Sequence, residues 1–385
     1  MDARYPSIAD LRRAARARLP HFVWEFFESA TGAERVPGRN RRALDAVELM
    51  PSILHVDQEA VLTTTFLGRD YALPVGMAPL GMSGLVWPGA ETLLAAEARR
   101  VGLPYTLSTV ATVRPEDVDA GGNGWFQLYP PRDRGLLADM LGRVSAAGFE
   151  TLVLTLDVPA ASRRERQTRG GLTQPPRLTP RLAWHVAQRP AWALAMARRV
   201  ARNGMPRMAF IDDYAGELAK GQKSSIAHAG YLLRTAPDRD YLDHLRGSWD
   251  GALIVKGVLD PSTVPALEAA GVDAIWVSNH AGRQFDGCPS VVSVLPGIRA
   301  ATDLPLIADG DISGGLDMLR LIGLGADFCM LGKAWHYALA ALGGAGPAHL
   351  TEMLRLDLVS NLAQLGCERP TGARGRIWSG APASS

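Results

Sequence analysis

From about residue 70 onward, apolar residues gather in short β-branched runs separated by longer stretches with helical spacing. The runs are 74–78 (PVGMA), 104–107 (PYTL), 125–129 (WFQLY), 151–157 (TLVLTLD), 252–256 (ALIVK), 274–278 (AIWVS), 304–308 (LPLIA) and 327–331 (DFCML). Between most of them lie alanine- and leucine-rich segments such as 90–101, 134–147, 261–270 and 314–324, whose spacing predicts helices. Strands apolar along their whole length suit a parallel sheet buried on both faces. Eight of them alternating with helices predict an α/β fold, a single (β/α)8 TIM barrel spanning 1–385. A doubly wound sheet usually has fewer strands and a glycine-rich turn after the first. No GxGxxG follows any run here, so the barrel is preferred.

The repeat is uneven in two places. About 70 residues precede the first strand, and 7–18 and 21–30 read as two helices of an N-terminal extension, split at Pro20, with Ser7 and Asp10 spaced as a capping box. The fourth and fifth strands are separated by an insertion, 158–250, holding the proline-rich TQPPRLTPR, a Trp/Arg stretch and the Gly/Ser/Lys-rich 216–226. Excursions of this length are usually lids or partner surfaces.

Composition narrows the function. Hydrophobic residues make up 47% and charged residues 21%, an ordinary globular mix that excludes wholesale disorder. Forty-one basic against 39 acidic residues leave a charge of +2, too little for a nucleic-acid binder. No apolar run reaches the roughly 18 residues of a membrane span, and MDARYPSIADLRRAARARLP lacks the apolar core of a signal peptide. Cys288, Cys329 and Cys367 are an odd number without CxxC spacing, which argues against disulfides and a cysteine zinc site. The expectation is a soluble cytoplasmic protein without a structural metal. Only Lys220, Lys223, Lys256 and Lys333 are lysines, so a lysine in an apolar run stands out.

Barrels place their chemistry at the carboxyl ends of their strands. Standing there are Gln127 and Tyr129, then Thr155 and Asp157 with Arg163 and Arg164 beyond, then Lys256. Further round come Ser278 to Arg283, Asp309-Gly310 and Gly332-Lys333. A lone aspartate at a strand end is more often a helix cap than a catalyst, and a lone histidine more often a loop residue; their convergence on one mouth favours a site. His280 has the chemistry of a general base near neutral pH. Asp157 would fix its tautomer. Arg164 and Arg283 match a carboxylate, and Tyr129 a hydroxyl or carbonyl oxygen. Lys256 suits an anion that appears during the reaction, with Schiff-base formation as the competing use. The glycines after the last two strands lie where barrels commonly hold a phosphate. A base, a carboxylate clamp and a phosphorylated cofactor together suggest oxidation of a hydroxy acid.

Six motifs in order then resemble the FMN-dependent L-2-hydroxy acid oxidase/dehydrogenase family, which contains glycolate oxidase, L-lactate dehydrogenase and (S)-mandelate dehydrogenase. They are WFQLY with RDRG, TLVLTLDVP with RRER, LIVKGVLDP, SNHAGRQFDG (278–287), IADGDISGGLDMLRLIGLGAD and LGKAWHYALA, and the likeness runs from about residue 7 to 370. SNHAGRQFDG, which is similar to the family's active-site signature, is the most specific. The resemblance implies His280 as base with Asp157 as its partner, and Tyr129, Arg164 and Arg283 as substrate binders. It implies FMN held by Ala78, Pro79, Leu80, Ser108, Gln127, Thr155, Lys256 and Ser278, and by the loops at Asp309, Gly310 and Asp311 and at Gly332 and Lys333. Lys256 would stabilise the reduced flavin anion. Gly81 falls where dehydrogenase members tend to have glycine and oxidase members alanine. The acceptor, a quinone, a cytochrome or oxygen, stays open, and the resemblance implies a homo-oligomer, often a tetramer.

Three departures from the family pattern stand out. Phe26 replaces a tyrosine whose hydroxyl bonds the substrate carboxylate, a loss of roughly 1.5–3 kcal/mol if nothing substitutes. Asp311-Ile312-Ser313 replaces Gly-Ile/Val-Arg, and Lys333 replaces an arginine. A carboxylate beside a phosphate repels it, which predicts a looser hold on FMN. Phe26 also suggests a bulkier or apolar substrate, a hydroxy acid of specialised metabolism; a flavin protein without catalysis is the third reading, which retention of His280 opposes. Within the insertion, 181–204 mixes Trp184, Trp192, Leu194 and Met196 with Arg189, Arg198, Arg199 and Arg202. It reads first as a lid packed on the barrel and second as a peripheral contact with an anionic membrane, the role this loop plays in some family members.

Overall fold

The computed structural model describes residues 2–56, 58–119, 121–171, 179–218, 233 and 236–379, without the side chains of 215–218. Its first paired strands lie outside the barrel. β1 (Thr64–Phe66) and β2 (Arg69–Tyr71) form an antiparallel hairpin turned at Leu67-Gly68. The Phe66 ring stands 5.1 Å from Phe328 and 6.0 Å from Trp125. Trp125 Nε1 donates to Tyr71 Oη at 3.3 Å. Trp125 and Phe328 lie at the starts of their strands, second and first respectively, so the hairpin floors the amino-terminal end of the barrel.

The barrel strands follow in chain order: β3 (Val75–Met77), β4 (Tyr105–Ser108), β5 (Gly124–Leu128), β6 (Thr151–Thr155), β7 (Ala252–Val258), β8 (Ala274–Val277), β9 (Leu306–Ala308) and β10 (Phe328–Leu331). All pair in parallel, and β10 closes on β3, which makes the (β/α)8 barrel expected from the pattern. Trp125, Val153, Ile254, Trp276, Ile307 and Phe328 fill its interior, while Phe126, Leu152, Val255 and Ile275 pack outward against the helices. Side chains alternate along a strand, so counting by twos from the inner set leads to Gln127, Thr155, Lys256, Ser278 and Asp309 at the top of the interior.

Several boundaries differ from expectation. β7 does not stop at Lys256 but continues to Val258 through a register break. Gly257 there has φ +102°, and a Cβ on it would come within 2.7 Å of Asp157, so glycine lets Asp157 sit against the strand. β6 ends at Thr155, which leaves Asp157 on the following loop. The segment 261–270 is a 3-10 turn followed by the helix Val264–Ala269.

The N-terminal extension is α1 (Ile8–Arg18), α2 (His21–Glu28) and a third helix, α3 (Arg35–Asp45), absent from the sequence expectation. Ser7 caps α1, but Asp10 takes the Ser7 hydroxyl at 2.6 Å rather than its backbone N–H, so the capping box is half formed. Asp286 accepts from the N–H groups of Arg35 and Val36, and Asn40 and Asn279 exchange hydrogen bonds at 3.0 and 2.7 Å. These bonds lock α3 onto the loop that carries His280.

In the insertion, Pro180–Ala187 and Pro190–Asn203 are helices, each with proline in its first turn, where the missing N–H costs nothing. The stretch 181–204 is therefore interrupted at Pro190, where the second helix begins. Trp192 meets Phe22 edge-on at 6.1 Å and donates to Leu85 O at 3.0 Å, while Arg189 reaches Leu19 O at 3.2 Å. The helices cover α2 and the loop after β3. Most of TQPPRLTPR and of 216–226 lies outside the described residues. No described helix is long and apolar enough to cross a membrane.

Candidate active site

The inward parity of the strands delivers the expected residues to one cavity at the mouth. It is lined by Ala78, Pro79, Leu80, Gln127, Tyr129, Thr155, Lys256, His280, Asp309, Gly310, Asp311, Gly332 and Lys333, and by Phe26, Arg164 and Arg283. Ser108, Ser278 and Asp157 do not line it; each stands behind a residue that does. Arg163 is exposed and faces Glu165 at 3.7 Å.

His280 Nδ1 lies 3.1 Å from both oxygens of Asp157, which leaves Nε2 toward the cavity. Burial presses the imidazole below its ordinary pKa of 6.5 against the pull of Asp157, so it is neutral at pH 7 and able to accept a proton. Burial alone would raise Asp157, but His280 and Lys256 outweigh it and its carboxyl stays below the usual range. His280, Ala281 and Gly282 all have positive φ, a tight left-handed turn held by His280 N–H donating to Ser278 Oγ at 3.1 Å. Such strain persists only where surrounding structure enforces it, here through α3.

Arg283 donates to the carbonyls of Phe27 at 2.8 Å, Ser29 at 3.1 Å and Phe26 at 3.3 Å. It thereby caps the carboxyl end of α2. Burial, and then Arg164 close by, bring its pKa down to about 9. Two guanidiniums close to one another on the cavity wall suit an incoming anion. Tyr129 is raised to about 12 by burial and by Asp157, so its hydroxyl stays protonated and able to donate. Phe26 contributes its ring to the wall and its carbonyl to Arg283.

At the inner edge, Lys256 is 4% exposed, donates to Ser278 Oγ at 2.8 Å and lies 3.8 Å from Asp309. Asp309 Oδ2 accepts from Ser278 Oγ at 2.8 Å and Trp276 Nε1 at 3.0 Å. Ser108 Oγ donates to Gln127 Oε1 at 2.8 Å. Gln127 Nε2 and Thr155 Oγ1 are buried without a hydrogen-bond partner. Unmet polar atoms on the wall of a large cavity fit the heteroatom edge of a flavin ring.

The opposite end is less orthodox. Lys333 donates to Glu28 O at 3.0 Å and lies 3.6 Å from Glu28 Oε2, and burial lowers its pKa despite that pairing. Asp311 sits at φ +62°, and burial raises its carboxyl despite Lys333 and Arg41 nearby. Arg41 of α3, a cation that sequence reasoning missed, reaches Ser313 Oγ at 3.0 Å and Asp311 O at 3.1 Å and forks onto Asp317 at 2.6 and 2.8 Å. A guanidinium thus stands beside Ser313, supplied from an element some 270 residues away in sequence. The donor set, Lys333, Arg41 and the uncapped start of the helix Lys333–Leu342, fits a phosphate, with Asp311 opposing it.

The model of the FMN-dependent dehydrogenase family matches residues 15–378. The L-lactate dehydrogenase of Caulobacter vibrioides is 36% identical over 371 residues, 94% of each chain. The crystal structure of the monotopic membrane protein (S)-mandelate dehydrogenase superposes with a TM-score of 0.90 at 28% identity, covering 98% of this chain and all of that one. A mandelate oxidase variant solved with an FMN adduct superposes at 0.80 with 29% identity, over 97% of this chain and 100% of that one. The chain therefore belongs to the FMN-dependent dehydrogenase family and is a flavoprotein oxidoreductase acting on a CH–OH group.

Proposed function

We propose that this enzyme oxidises an L-2-hydroxy acid to the 2-keto acid, with His280 as the general base and an acceptor other than NAD. The observation that carries this reading is a neutral imidazole, oriented by Asp157, facing the same cavity as the Arg164, Arg283 and Tyr129 cluster. Bound FMN supplies the two-electron acceptor. Gln127, Thr155 and Lys256 would hold its ring, and Lys333, Arg41 and the glycine amides its phosphate. Arg283 and Arg164 bind the carboxylate, and Tyr129 donates to an oxygen at C2. His280 Nε2 removes one of the two protons that leave with the electrons, and Asp157 stabilises the imidazolium. The Lys256 ammonium would stabilise negative charge that grows on the ring. An anaerobic screen of hydroxy acids tests this reading: bleaching of the flavin by at least one acid supports it, and an oxidised spectrum with every acid contradicts it.

Two features favour a dehydrogenase working at a membrane surface. Gly81 is the residue typical of dehydrogenase members, and a Cβ there would meet Val110 Cγ2 at 2.5 Å. The insertion helices expose Trp184 on one and Leu194 on the other, and the second also carries Arg198, Arg199 and Arg202, a pattern suited to anionic headgroups. Co-sedimentation with anionic vesicles at low salt is expected; a protein left wholly in the supernatant removes the membrane contact.

A further inference from the structure

The cavity continues well past the carboxylate cluster. Its volume of about 1970 Å³ takes in the positions assigned to the flavin as well as the space next to the insertion, and its lining changes character between the two. Arg283 and His280 make one part of the wall polar; Phe26, Leu85 and residues of both insertion helices line another part. Trp192, Met196 and Val200 recur at i, i+4 and i+8 on one face of Pro190–Asn203, and Leu182 and Val186 do the same on the preceding helix. Ala193, Ala197 and Ala201, each one residue further on, also line the space, so small side chains keep the channel open.

We propose, building on the oxidation assigned above, that this channel binds the substrate's side chain and that the preferred substrates are 2-hydroxy acids with a long apolar chain rather than lactate. The geometry asks for a ligand with an anion at one end and an apolar body. The carboxylate meets Arg283 and Arg164; the chain passes Phe26, where a tyrosine hydroxyl would put a polar group on the wall, and ends against Met196. An uncharged quinone carries no anion to meet Arg283 and Arg164.

The test is a series of straight-chain (S)-2-hydroxy acids from three to eight carbons, with flavin bleaching followed anaerobically on the FMN-loaded protein. Binding of the matching unreactive carboxylates, propanoate to octanoate, is measured by calorimetry. The expected result is a rise of about fourfold in kcat/KM for each added methylene, with carboxylate affinity rising in parallel. Met196→Trp, or Ala197→Leu if the first does not fold, should cut the advantage of the eight-carbon over the three-carbon acid at least tenfold. A flat series in both measurements overturns the proposal. So does a Met196→Trp protein that slows reoxidation by a short-chain quinone while the acid series stays flat, since the channel would then serve the acceptor. If no acid bleaches the flavin but carboxylate affinity still climbs with length, the channel assignment stands and the oxidation reading fails.

Discussion

His280 Nδ1 is equidistant, at 3.1 Å, from the two oxygens of Asp157. The carboxylate therefore selects the tautomer that carries its proton on Nδ1 and keeps Nε2 available. With the pKa held below 6.5, the base is already deprotonated at pH 7, so the rate of flavin reduction should be level from pH 7 to 8 and fall only below 6.5. Asp157→Asn removes the charge that stabilises the imidazolium, and a loss of about 10²–10⁴ in that rate is expected by stopped-flow.

The Phe26 ring lines the cavity while its carbonyl accepts from Arg283 at 3.3 Å. Phe26→Tyr adds a donor to the wall without altering that backbone bond. One hydrogen bond to a charged group is worth about 1.5–3 kcal/mol, so the KM for small acids such as lactate should fall tenfold or more. An unchanged KM would mean that position 26 does not face the substrate's carboxylate.

Asp311 combines a left-handed backbone with a carboxyl that desolvation raises above its usual pKa, near Lys333, Arg41, Glu28 and Asp317. Glycine relieves the first and removes the second. Asp311→Gly should tighten FMN binding at least tenfold, read by quenching of flavin fluorescence, and should raise Tm. In the native protein FMN affinity should fall as pH rises through the elevated pKa of Asp311; in the variant that slope should vanish. Riboflavin, which lacks the phosphate, should bind both proteins alike.

The barrel was legible because each strand is a short, mostly apolar run, and the mouth because strand parity carries 125, 153, 254, 276 and 307 on to Gln127, Thr155, Lys256, Ser278 and Asp309. What the pattern hides is short or long-range. The floor hairpin has three residues per strand, too few for alternation to show. α3 carries Pro37 and Gly38 in its first half and reads as a loop. Arg41 lies in a run of arginines, and only the folded chain brings it to Ser313. The extension of β7 past Lys256 depends on a bulge at Gly257, which no apolar pattern encodes.

His336 links two loops of the mouth: its ring meets Ser83 Oγ at 2.8 Å and Gly332 O at 3.0 Å. Burial lowers its pKa to about 4, from 6.5, although the Gly332 carbonyl pulls the other way. A folded pKa below the unfolded one means that the unfolded chain binds the proton first. The neutral ring's contribution to stability is thus present above pH 6.5 and is lost as pH falls toward 4, amounting to about 3 kcal/mol at the lower limit. Urea titrations should show this acid-side decline, and His336→Leu should flatten it; an equal decline in the variant would place the cause elsewhere, with His280 the next group of the same sign.

The account rests on one imidazole doing the proton transfer beside a bound flavin. Anaerobic mixing of a reactive 2-hydroxy acid with FMN-loaded His280→Ala protein addresses that most directly. The yellow spectrum should persist, with the bleaching rate reduced by about 10²–10⁴ relative to the native enzyme and FMN affinity unchanged. Bleaching at the native rate in the variant would contradict it.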